Sequence, residues 1–292
     1  MARAALLAAA ALTLGACAPR ALLLPSPAHV SLGRELALVG APGRTWLVST
    51  FDLAGEWVAE PVRTGPAVRA GEVFVQSLPE FGELRVLEGL TPVRTLALGA
   101  TPTALAWRGD DLLVATSEGD LLLVDPKGGQ VRGAMRLPAA LVALAWPLPA
   151  LAAVLTSAGD LVAVNPFTAT RETRRAGVTA LAAGGERVVT AAGDRLEIRN
   201  AQLAVRNELS LAADPELLLV DPDGAAAYAV AGAWITRIDL AAGLVLNTVQ
   251  LNEPVIAGAA LADRLIVVTE SGGLLLLDAI GLRILASRAA AQ

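Results

Sequence analysis

The chain has 292 residues, of which 54% are hydrophobic and 17% are charged. With 23 basic and 28 acidic side chains its formal net charge is −5, which argues against nucleic-acid binding, because such proteins need a basic surface to neutralise phosphates. The single cysteine and single histidine exclude a disulfide framework within the chain and a metal site built from several of these residues.

Residues 1–16 have the pattern of a secretory signal peptide. Arg3 provides a positive start, Ala4 to Leu14 form an apolar run of 11 residues, and small residues follow. Because a membrane-spanning helix needs about 20 apolar residues, this run is too short to cross a bilayer. We therefore expect residues 1–16 to be removed by cleavage between Ala16 and Cys17.

The tetrapeptide at this point, Leu14-Gly15-Ala16-Cys17, resembles the lipobox of bacterial lipoproteins. The resemblance implies that Cys17 carries a diacylglyceryl group, becomes the new N-terminus and anchors the protein in a membrane leaflet. Two acyl chains, at about 0.8 kcal/mol per buried methylene, make a stable anchor. Ala18 after the cysteine resembles the outer-membrane-sorted class of bacteria with two membranes. The alternative is an ordinary secreted protein, or one with a buried free cysteine.

Residues 17–28 contain three prolines and are predicted to form an extended tether between the lipidated cysteine and a folded body. About ten residues at about 3.3 Å each would span about 30 Å. Alternatively, Ala21 to Leu24 form a strand that closes a sheet.

One line of sequence recurs in the rest of the chain, as TSEGDLLLVD from Thr116, TSAGDLVAVN from Thr156 and TESGGLLLLD from Thr269. The turn glycine of this line belongs to a series spaced by 34 to 40 residues. The series is Gly43, Gly82, Gly119, Gly159, Gly193, Gly232 and Gly272. A period near 40 is typical of a four-stranded propeller blade. We therefore predict an all-β fold, a single β-propeller of four-stranded antiparallel blades over residues 29–292; seven blades are favoured, with six or eight left open.

Within one period, short apolar runs alternate with turns. The predicted strands are Thr103 to Trp107, Leu112 to Thr116, Asp120 to Asp125 and Gln130 to Leu137. The third is uniformly apolar from Leu121 to Val124, which indicates that both of its faces are covered, as in a blade between two neighbours. The fourth carries charges and is expected at the outer edge.

Residues 139–158 contain no charge and have the length of a membrane-spanning helix. Pro147 and Pro149 lie near their middle, however, and the segment aligns on the repeat as strand, turn and strand. We therefore predict a hairpin. We also predict a closed ring, because an open end would expose the apolar faces of the terminal blades.

These repeats resemble the YVTN-type and WD40-like β-propeller repeats of bacteria over most of residues 30–288. The clearest match is residues 220–249, with a Pro-Asp-Gly turn, a tyrosine-containing strand and an Ile-Asp pair. The Trp-Asp and Gly-His dipeptides of eukaryotic-type blades are absent, and so is the docking pattern of quinoprotein propellers. We therefore expect no cofactor.

Candidate catalytic residues are few. His29 lies in or beside the tether and is expected to be a surface or edge residue without a special role. The acidic clusters, such as Asp110-Asp111 and Asp221 with Asp223, lie at predicted turns, where aspartate bonds nearby backbone amides, and no calcium-loop spacing is present. Threonines recur three residues before the turn glycines and are expected to bond the turn backbone; these are Thr116, Thr156, Thr190 and Thr269.

Two groups of residues are candidates for a partner or ligand surface. Trp107 and Trp146 end equivalent ALAW runs and either form an aromatic rim near the channel or fill the gaps between blades. Arg171, Arg174 and Arg175 form a dense basic spot, interpreted as a solvated outer edge or a partner contact. We assign no catalytic residue and no metal ligand.

The sequence favours a lipid-anchored, extracytoplasmic β-propeller that acts as a non-catalytic protein–protein interaction scaffold in the bacterial cell envelope. The analogy is with the propeller lipoprotein of the outer-membrane assembly machinery. The alternative is a lactonase-like or dehydrogenase-like enzyme, or a small-ligand binder, with its site at the mouth of the central channel. An enzyme would need non-repeated polar residues that converge on that mouth.

Overall fold

A computed structural model describes residues 28–32, 35–41, 44–60 and 62–289. This part of the chain forms seven four-stranded sheets, and each sheet consists of four consecutive strands that pair antiparallel with their neighbours in sequence. The prediction of an all-β fold with seven four-stranded blades is confirmed. The predicted signal peptide, Cys17 and residues 18–27 of the predicted tether lie outside the described residues.

The strands have the following bounds. Blade 1 contains β1 (His29–Leu32), β2 (Leu36–Ala41), β3 (Arg44–Ser49) and β4 (Gly55–Ala59); blade 2 contains β5 (Ala67–Ala70), β6 (Val73–Leu78), β7 (Glu83–Glu88) and β8 (Thr91–Ala97); blade 3 contains β9 (Pro102–Arg108), β10 (Asp111–Thr116), β11 (Asp120–Asp125) and β12 (Gln130–Arg136). Blade 4 contains β13 (Leu141–Leu148), β14 (Leu151–Thr156), β15 (Leu161–Asn165) and β16 (Thr170–Arg175); blade 5 contains β17 (Ala180–Gly184), β18 (Arg187–Ala192), β19 (Arg195–Asn200) and β20 (Val205–Ser210). Blade 6 contains β21 (Leu217–Val220), β22 (Ala226–Ala231), β23 (Trp234–Asp239) and β24 (Leu244–Gln250); blade 7 contains β25 (Val255–Ala260), β26 (Arg264–Thr269), β27 (Leu274–Asp278) and β28 (Ile284–Arg288).

The first strand of each blade lies at the centre of the ring. First strands of adjacent blades contact each other all the way round, and β25 of blade 7 contacts β1 of blade 1. The fourth strands form the outer wall and are largely exposed. A loop with a short 3-10 helix at Pro79–Phe81 enlarges blade 2 between its second and third strands, and Gly82 ends it with φ of +64°.

The core is divided among the seven spaces between adjacent blades. Leu112 and Val114 of β10 pack towards blade 2, whereas Leu113 and Ala115 of the same strand pack towards blade 4. A continuous apolar run therefore serves two interfaces alternately, which confirms that both faces of the middle strands are covered. Each fully buried leucine of this kind stabilises the ring by about 2 kcal/mol relative to an exposed one.

The predicted hairpin at residues 139–158 is also confirmed. Its two strands are β13 and β14, and the Pro147-containing end of β13 leads into the turn between them. None of the described residues forms a helix that is long and apolar enough to cross a membrane.

In three blades the threonine hydroxyl contacts the backbone of the repeated turn, as predicted. The hydroxyl of Thr116 accepts a hydrogen bond of 2.9 Å from the amide of Asp120, and Thr156 does the same for Asp160 at 3.1 Å. The hydroxyl of Thr269 lies 3.4 Å from the carbonyl oxygen of Gly273 in the same turn. The prediction is wrong for Thr190, whose hydroxyl instead contacts a buried ion pair of blade 5 formed by Glu197 and Arg199.

Blade 7 closes the ring by packing directly on blade 1. Arg264 donates to the carbonyl oxygen of Thr50 at 3.1 Å, and Arg288 donates to the carbonyl oxygens of Leu53 and Gly55 at 3.1 and 3.2 Å. The Arg288 guanidinium also lies 4.4 Å from the ring centroid of Trp46. An apolar cluster shared by the two blades completes this closure.

Candidate interaction surface

The walls of the central channel are mostly apolar. The seven first strands carry titratable side chains only at His29, Arg69 and Arg108 among the described residues. Arg69 donates to the carbonyl oxygen of Gly71 at 2.6 Å, and Arg108 donates to two carbonyl oxygens of β13. Both arginines therefore bond the backbone at strand ends, and Arg69 also lies 3.7 Å from the carboxylate of the exposed Glu72. The described residues also contain no group of three or more metal-ligating side chains.

The two candidate tryptophans occupy gaps between blades. Trp107 of β9 is half-buried and packs on the cluster between blades 2 and 3. Trp146 of β13 is buried between blades 3 and 4, and its indole N–H donates to the carbonyl oxygen of Pro149 at 3.1 Å. Their positions match the gap-filling alternative. Phe167, whose ring centroid lies 6.3 Å from that of Trp146, is the exposed aromatic residue at this edge of blade 4.

The candidate arginines lie on β16, the outermost strand of blade 4, whereas the two tryptophans lie on the innermost strands β9 and β13, so the structure does not bring the two groups together. Arg171 and Arg174 are exposed residues of β16, and Arg175 is its last residue. Two arginines of the neighbouring fourth strand β12, Arg132 and Arg136, extend the basic region onto blade 3. We call Arg132, Arg136, Arg171 and Arg174 the arginine surface.

Most members of the arginine surface have a carboxylate partner. Arg132 bridges Asp111, at 2.9 Å, and Asp125, while Arg136 lies 3.3 Å from Asp120. The pKa of Asp125 is lowered by its hydrogen bond from the amide of Gly128 and by Arg132. Such exposed pairs contribute little to stability, about 0–1 kcal/mol each.

Arg171 differs from these residues because its guanidinium has no carboxylate partner among the described residues. It donates instead to the main-chain carbonyl oxygen of Arg136, which joins blades 3 and 4 on the outer wall. Arg136 and Arg171 also line a shallow depression of about 380 Å³ together with Glu118 and the segment 137–140. The positive charge of Arg171 is therefore available to an anionic group of a partner.

His29, expected at a surface or edge, is a buried residue of the junction between blades 1 and 2, so that expectation is wrong. It begins β1, and its ring lies over Gly40 of β2, where an added Cβ would approach the ring within 1.9 Å. Its Nε2 accepts a hydrogen bond of 3.2 Å from the side-chain amide of Gln76. Burial, together with the charge of Arg85, lowers the pKa of His29 to about 3, so the imidazole is neutral.

A chain of buried polar groups continues from this histidine across the junction. Arg85 donates to the amide oxygen of Gln76 and, through both terminal nitrogens, to the carboxylate of Glu60 at 2.6 and 3.2 Å. The Nδ1 atom of His29, Oγ of Ser77 and Nε of Arg85 are buried without a hydrogen-bond partner in the described structure. Each such atom costs about 1–3 kcal/mol.

A second surface was not predicted from the sequence. Six exposed apolar residues lie where the outer walls of blades 6 and 7 meet the turns between third and fourth strands; we call them the apolar strip. They are Leu244, Val245, Leu246, Ile280, Ile284 and Leu285. The signal that could have found it is β24 itself, LVLNTVQ, which contains no charged residue.

Two solved structures are similar to this chain over most of its length. A chain of the mitotic checkpoint complex matches with a TM-score of 0.75 and 14% identity, over 87% of this chain and 86% of that one. The computationally designed Ika8 protein matches with a TM-score of 0.67 and 14% identity, over 90% of this chain and 87% of that one. The fold is a WD40-like seven-bladed β-propeller. No family model matches the sequence, and no curated protein matches it.

At this level of identity the likeness concerns the fold alone. It agrees with the predicted WD40-like architecture of the propeller.

Proposed function

We propose that the protein is a bacterial lipoprotein with YVTN-type repeats, anchored through Cys17, that acts outside the cytoplasm as a non-catalytic scaffold for envelope proteins. The lipobox-like tetrapeptide and the preceding apolar run support the anchor. Ala18 favours the outer membrane in an organism with two membranes. The proline-rich segment 17–28 then serves as the tether.

The scaffold role is supported by the distribution of polar groups in the ring. The arginines of the first strands donate hydrogen bonds to backbone carbonyl oxygens, and the buried polar chain at His29 lies within a blade junction. A partner would therefore bind on the outer surfaces. One of the similar folds was solved as a component of a protein complex, which is an analogy of fold only.

The single observation that carries the proposed docking site is the unneutralised guanidinium of Arg171. It lies beside a shallow depression and next to three further arginines of the same wall. Arginine presents a planar fork of N–H donors that binds a carboxylate in a bidentate geometry. We propose that an acidic segment of an envelope protein binds this arginine surface.

The anchor is tested by replacing Cys17 with Ser in the full chain. We expect the protein to leave the membrane fraction and to lose incorporation of labelled palmitate, because the sulfur that carries the lipid is absent. Unchanged membrane association in this variant would contradict the anchor.

The docking site is tested by the double variant Arg171→Glu with Arg174→Glu. We expect a partner that copurifies with the wild-type protein from gently solubilised membranes to be lost, and the wild-type association to weaken with salt. The matched control is Arg206→Glu on the exposed fourth strand of blade 5, which should retain the partner. Retention by the double variant would contradict the proposed site.

A further inference from the structure

The outer edge of blade 1 differs from the outer edges of the other blades. In blades 2 to 7 a β-bulge or similar irregularity interrupts the register between the third and fourth strands. The register between β3 and β4 has no such interruption, and all five residues of β4 are exposed, with Glu56 as the only charged one. Bulges and charges are the usual protection of an edge strand against pairing with another chain. Strand β4 is therefore open to the addition of a further strand.

The hydrogen bonds of blade 1 show which backbone groups of β4 point away from the blade. The amide of Ser49 donates to the carbonyl oxygen of Ala54 at 2.7 Å, so every second residue of β3, counted from Ser49, turns its backbone groups towards β4. Leu47 is one of these residues and lies opposite Glu56, so the backbone groups of Glu56 bond inwards. The residues whose N–H and C=O groups point outwards are Gly55, Trp57 and Ala59.

A stack of two tryptophans and two arginines lies on one face of this edge; we call it the tryptophan–arginine stack. The ring centroids of Trp46 and Trp57 are 5.9 Å apart. The guanidinium of Arg44 lies 4.9 Å from the centroid of Trp57, and that of Arg288 lies 4.4 Å from the centroid of Trp46. Trp46 is buried, whereas Trp57 is 42% exposed. The stack therefore places one guanidinium at each end of a tryptophan pair whose outer member is accessible.

The two arginines of the stack lie near opposite ends of β4. Arg44 lies opposite Ala59 in the register, so the two side chains share a face. Arg288 reaches across from blade 7 and donates to the carbonyl oxygen of Gly55 at 3.2 Å. Neither guanidinium forms an ion pair with a carboxylate among the described residues, and Glu56 lies on the other face because side chains alternate along a strand. Both positive charges are therefore available to a partner.

The geometry points to an extended acidic segment of a partner protein, added to β4 as a fifth strand of blade 1. The outward N–H and C=O groups of β4 pair with the backbone of this segment. Acidic side chains opposite Gly55 and Ala59 meet the two guanidiniums, and an apolar side chain between them packs on Trp57. Because alternate side chains of a strand share a face, the segment has the pattern acid-x-apolar-x-acid, which fits β4 in either direction.

The charges favour a segment of another protein over the N-terminal region of the chain itself. Residues 1–27 contain no acidic residue and therefore do not supply the two carboxylates. The edge of blade 1 is also separate from the arginine surface, which lies on blades 3 and 4. A scaffold with both surfaces can hold two partners at different sides of the ring.

We test this site with a fluorescein-labelled peptide that contains Glu-Thr-Val-Thr-Glu and with the full chain carrying Cys17→Ser, so that the result does not depend on the anchor. Fluorescence anisotropy should show saturable binding with a Kd of about 100 μM. A peptide with lysine in place of both glutamates should bind at least about tenfold more weakly. A peptide N-methylated at the valine and the following threonine keeps its charge but loses backbone donors, and it should also bind at least about tenfold more weakly.

The matched protein variants are Arg44→Gln and Arg206→Gln. Arg44→Gln should weaken binding of the glutamate peptide about fivefold, whereas Arg206→Gln, at an exposed arginine of blade 5, should leave it unchanged. The peptide comparisons use the protein with both arginines intact, so they hold even if Arg44→Gln fails to fold.

The inference would be overturned by the absence of saturable binding at about 1 mM protein, or by equal binding of the glutamate, lysine and N-methylated peptides. It would also be overturned if the protein sedimented with twice the mass of one chain and did not bind the peptide, because a second copy would then cover the edge. Binding of phosphatidylglycerol vesicles without binding of the peptide would overturn it in the same way. None of these outcomes affects the arginine surface, which is tested separately.

Discussion

The junction between blades 1 and 2 and the junction between blades 3 and 4 occupy equivalent places in the ring but are built from different chemistry. The junction of blades 3 and 4 buries eleven apolar residues, among them Leu113, Leu123 and Trp146. The junction of blades 1 and 2 buries four among the described residues, and the chain from His29 to Glu60 fills the remaining space.

This difference separates two ways of joining blades. Apolar packing tolerates many sequences of suitable volume, so its stability is distributed over many side chains. The stability of a junction that contains a buried ion pair depends on every member of the pair, because removing one member leaves an uncompensated charge. We therefore expect the blade 1–2 junction to be the more sensitive to single polar substitutions and to pH.

The largest expected effect is at the ion pair. Glu60→Ala should lower the free energy of unfolding by about 3–5 kcal/mol, because it leaves the buried guanidinium of Arg85 without its carboxylate. Urea unfolding at pH 7 measures this. Glu88→Ala, at an exposed glutamate of β7, the strand that carries Arg85, should change the free energy of unfolding by less than about 0.5 kcal/mol.

A double variant sharpens the same point. Glu60→Leu combined with Arg85→Met should restore most of the free energy of unfolding that Glu60→Ala removes, because apolar residues of similar volume avoid the cost of burying charge. If Glu60→Ala alone cost less than about 1 kcal/mol, the proposed dependence of this junction on its ion pair would be wrong.

The apolar junction should lose stability by a different route. Leu113→Ala is expected to cost about 2–5 kcal/mol, because the side chain is fully buried between blades 3 and 4 and its removal leaves a cavity. Val131→Ala, at an exposed site of blade 3, is the control and should be nearly neutral in the same unfolding measurement. The effect of Leu113→Ala should not change between pH 5 and pH 7.

The pH dependence of the polar junction follows from the only histidine of the chain. The pKa of His29 is about 3 in the folded protein against an ordinary value of 6.5, so the unfolded state binds the proton first as pH falls. The stability due to the neutral ring is present above about pH 6.5 and is lost progressively down to about pH 3. Between pH 7 and pH 5 we expect a loss of about 2 kcal/mol.

His29→Gln isolates this contribution. We measure the free energy of unfolding of both proteins in urea at pH 7 and pH 5. The advantage of the wild type over the variant should be smaller at pH 5 than at pH 7, or should reverse. A pH dependence that is identical in the two proteins would show that the histidine titrates normally in the folded state.

The smallest expected effect concerns the turn at the end of the apolar junction. Thr116→Val removes the hydroxyl that accepts a hydrogen bond from the amide of Asp120 while keeping the shape of the side chain. We expect a loss of about 1 kcal/mol in thermal unfolding. Thr116→Ser retains the hydroxyl and should recover part of it, whereas equal losses in both variants would assign the effect to packing.

The architecture was predictable because its signals are local and repeated. The apolar run Leu121 to Val124 and the turn before it recur with a period near 40, and the structure places each copy in the middle of a blade. The charged fourth strands and the hairpin at residues 139–158 follow from the same repeat.

The polar junction was not predictable from the same signals. Gln76 and Arg85 are cross-strand partners within blade 2, but His29 and Glu60 belong to blade 1, and only the packing of blade 1 on blade 2 brings the two pairs together. The contact of Arg171 with the carbonyl oxygen of Arg136 is likewise formed between two blades. The apolar strip could have been predicted, because the absence of charge in β24 is a property of the sequence alone.

The scaffold role is tested most directly by site-specific photo-crosslinking in intact cells. A photoreactive residue at Thr173, an exposed site of β16 between the arginines, should form an adduct with one envelope protein, whereas the same residue at Thr91 on blade 2 should not. The adduct should disappear when Arg171→Glu and Arg174→Glu are added. The absence of any adduct at Thr173, or adducts at both sites that persist after charge reversal, would contradict the proposed docking of an acidic partner on the arginine surface.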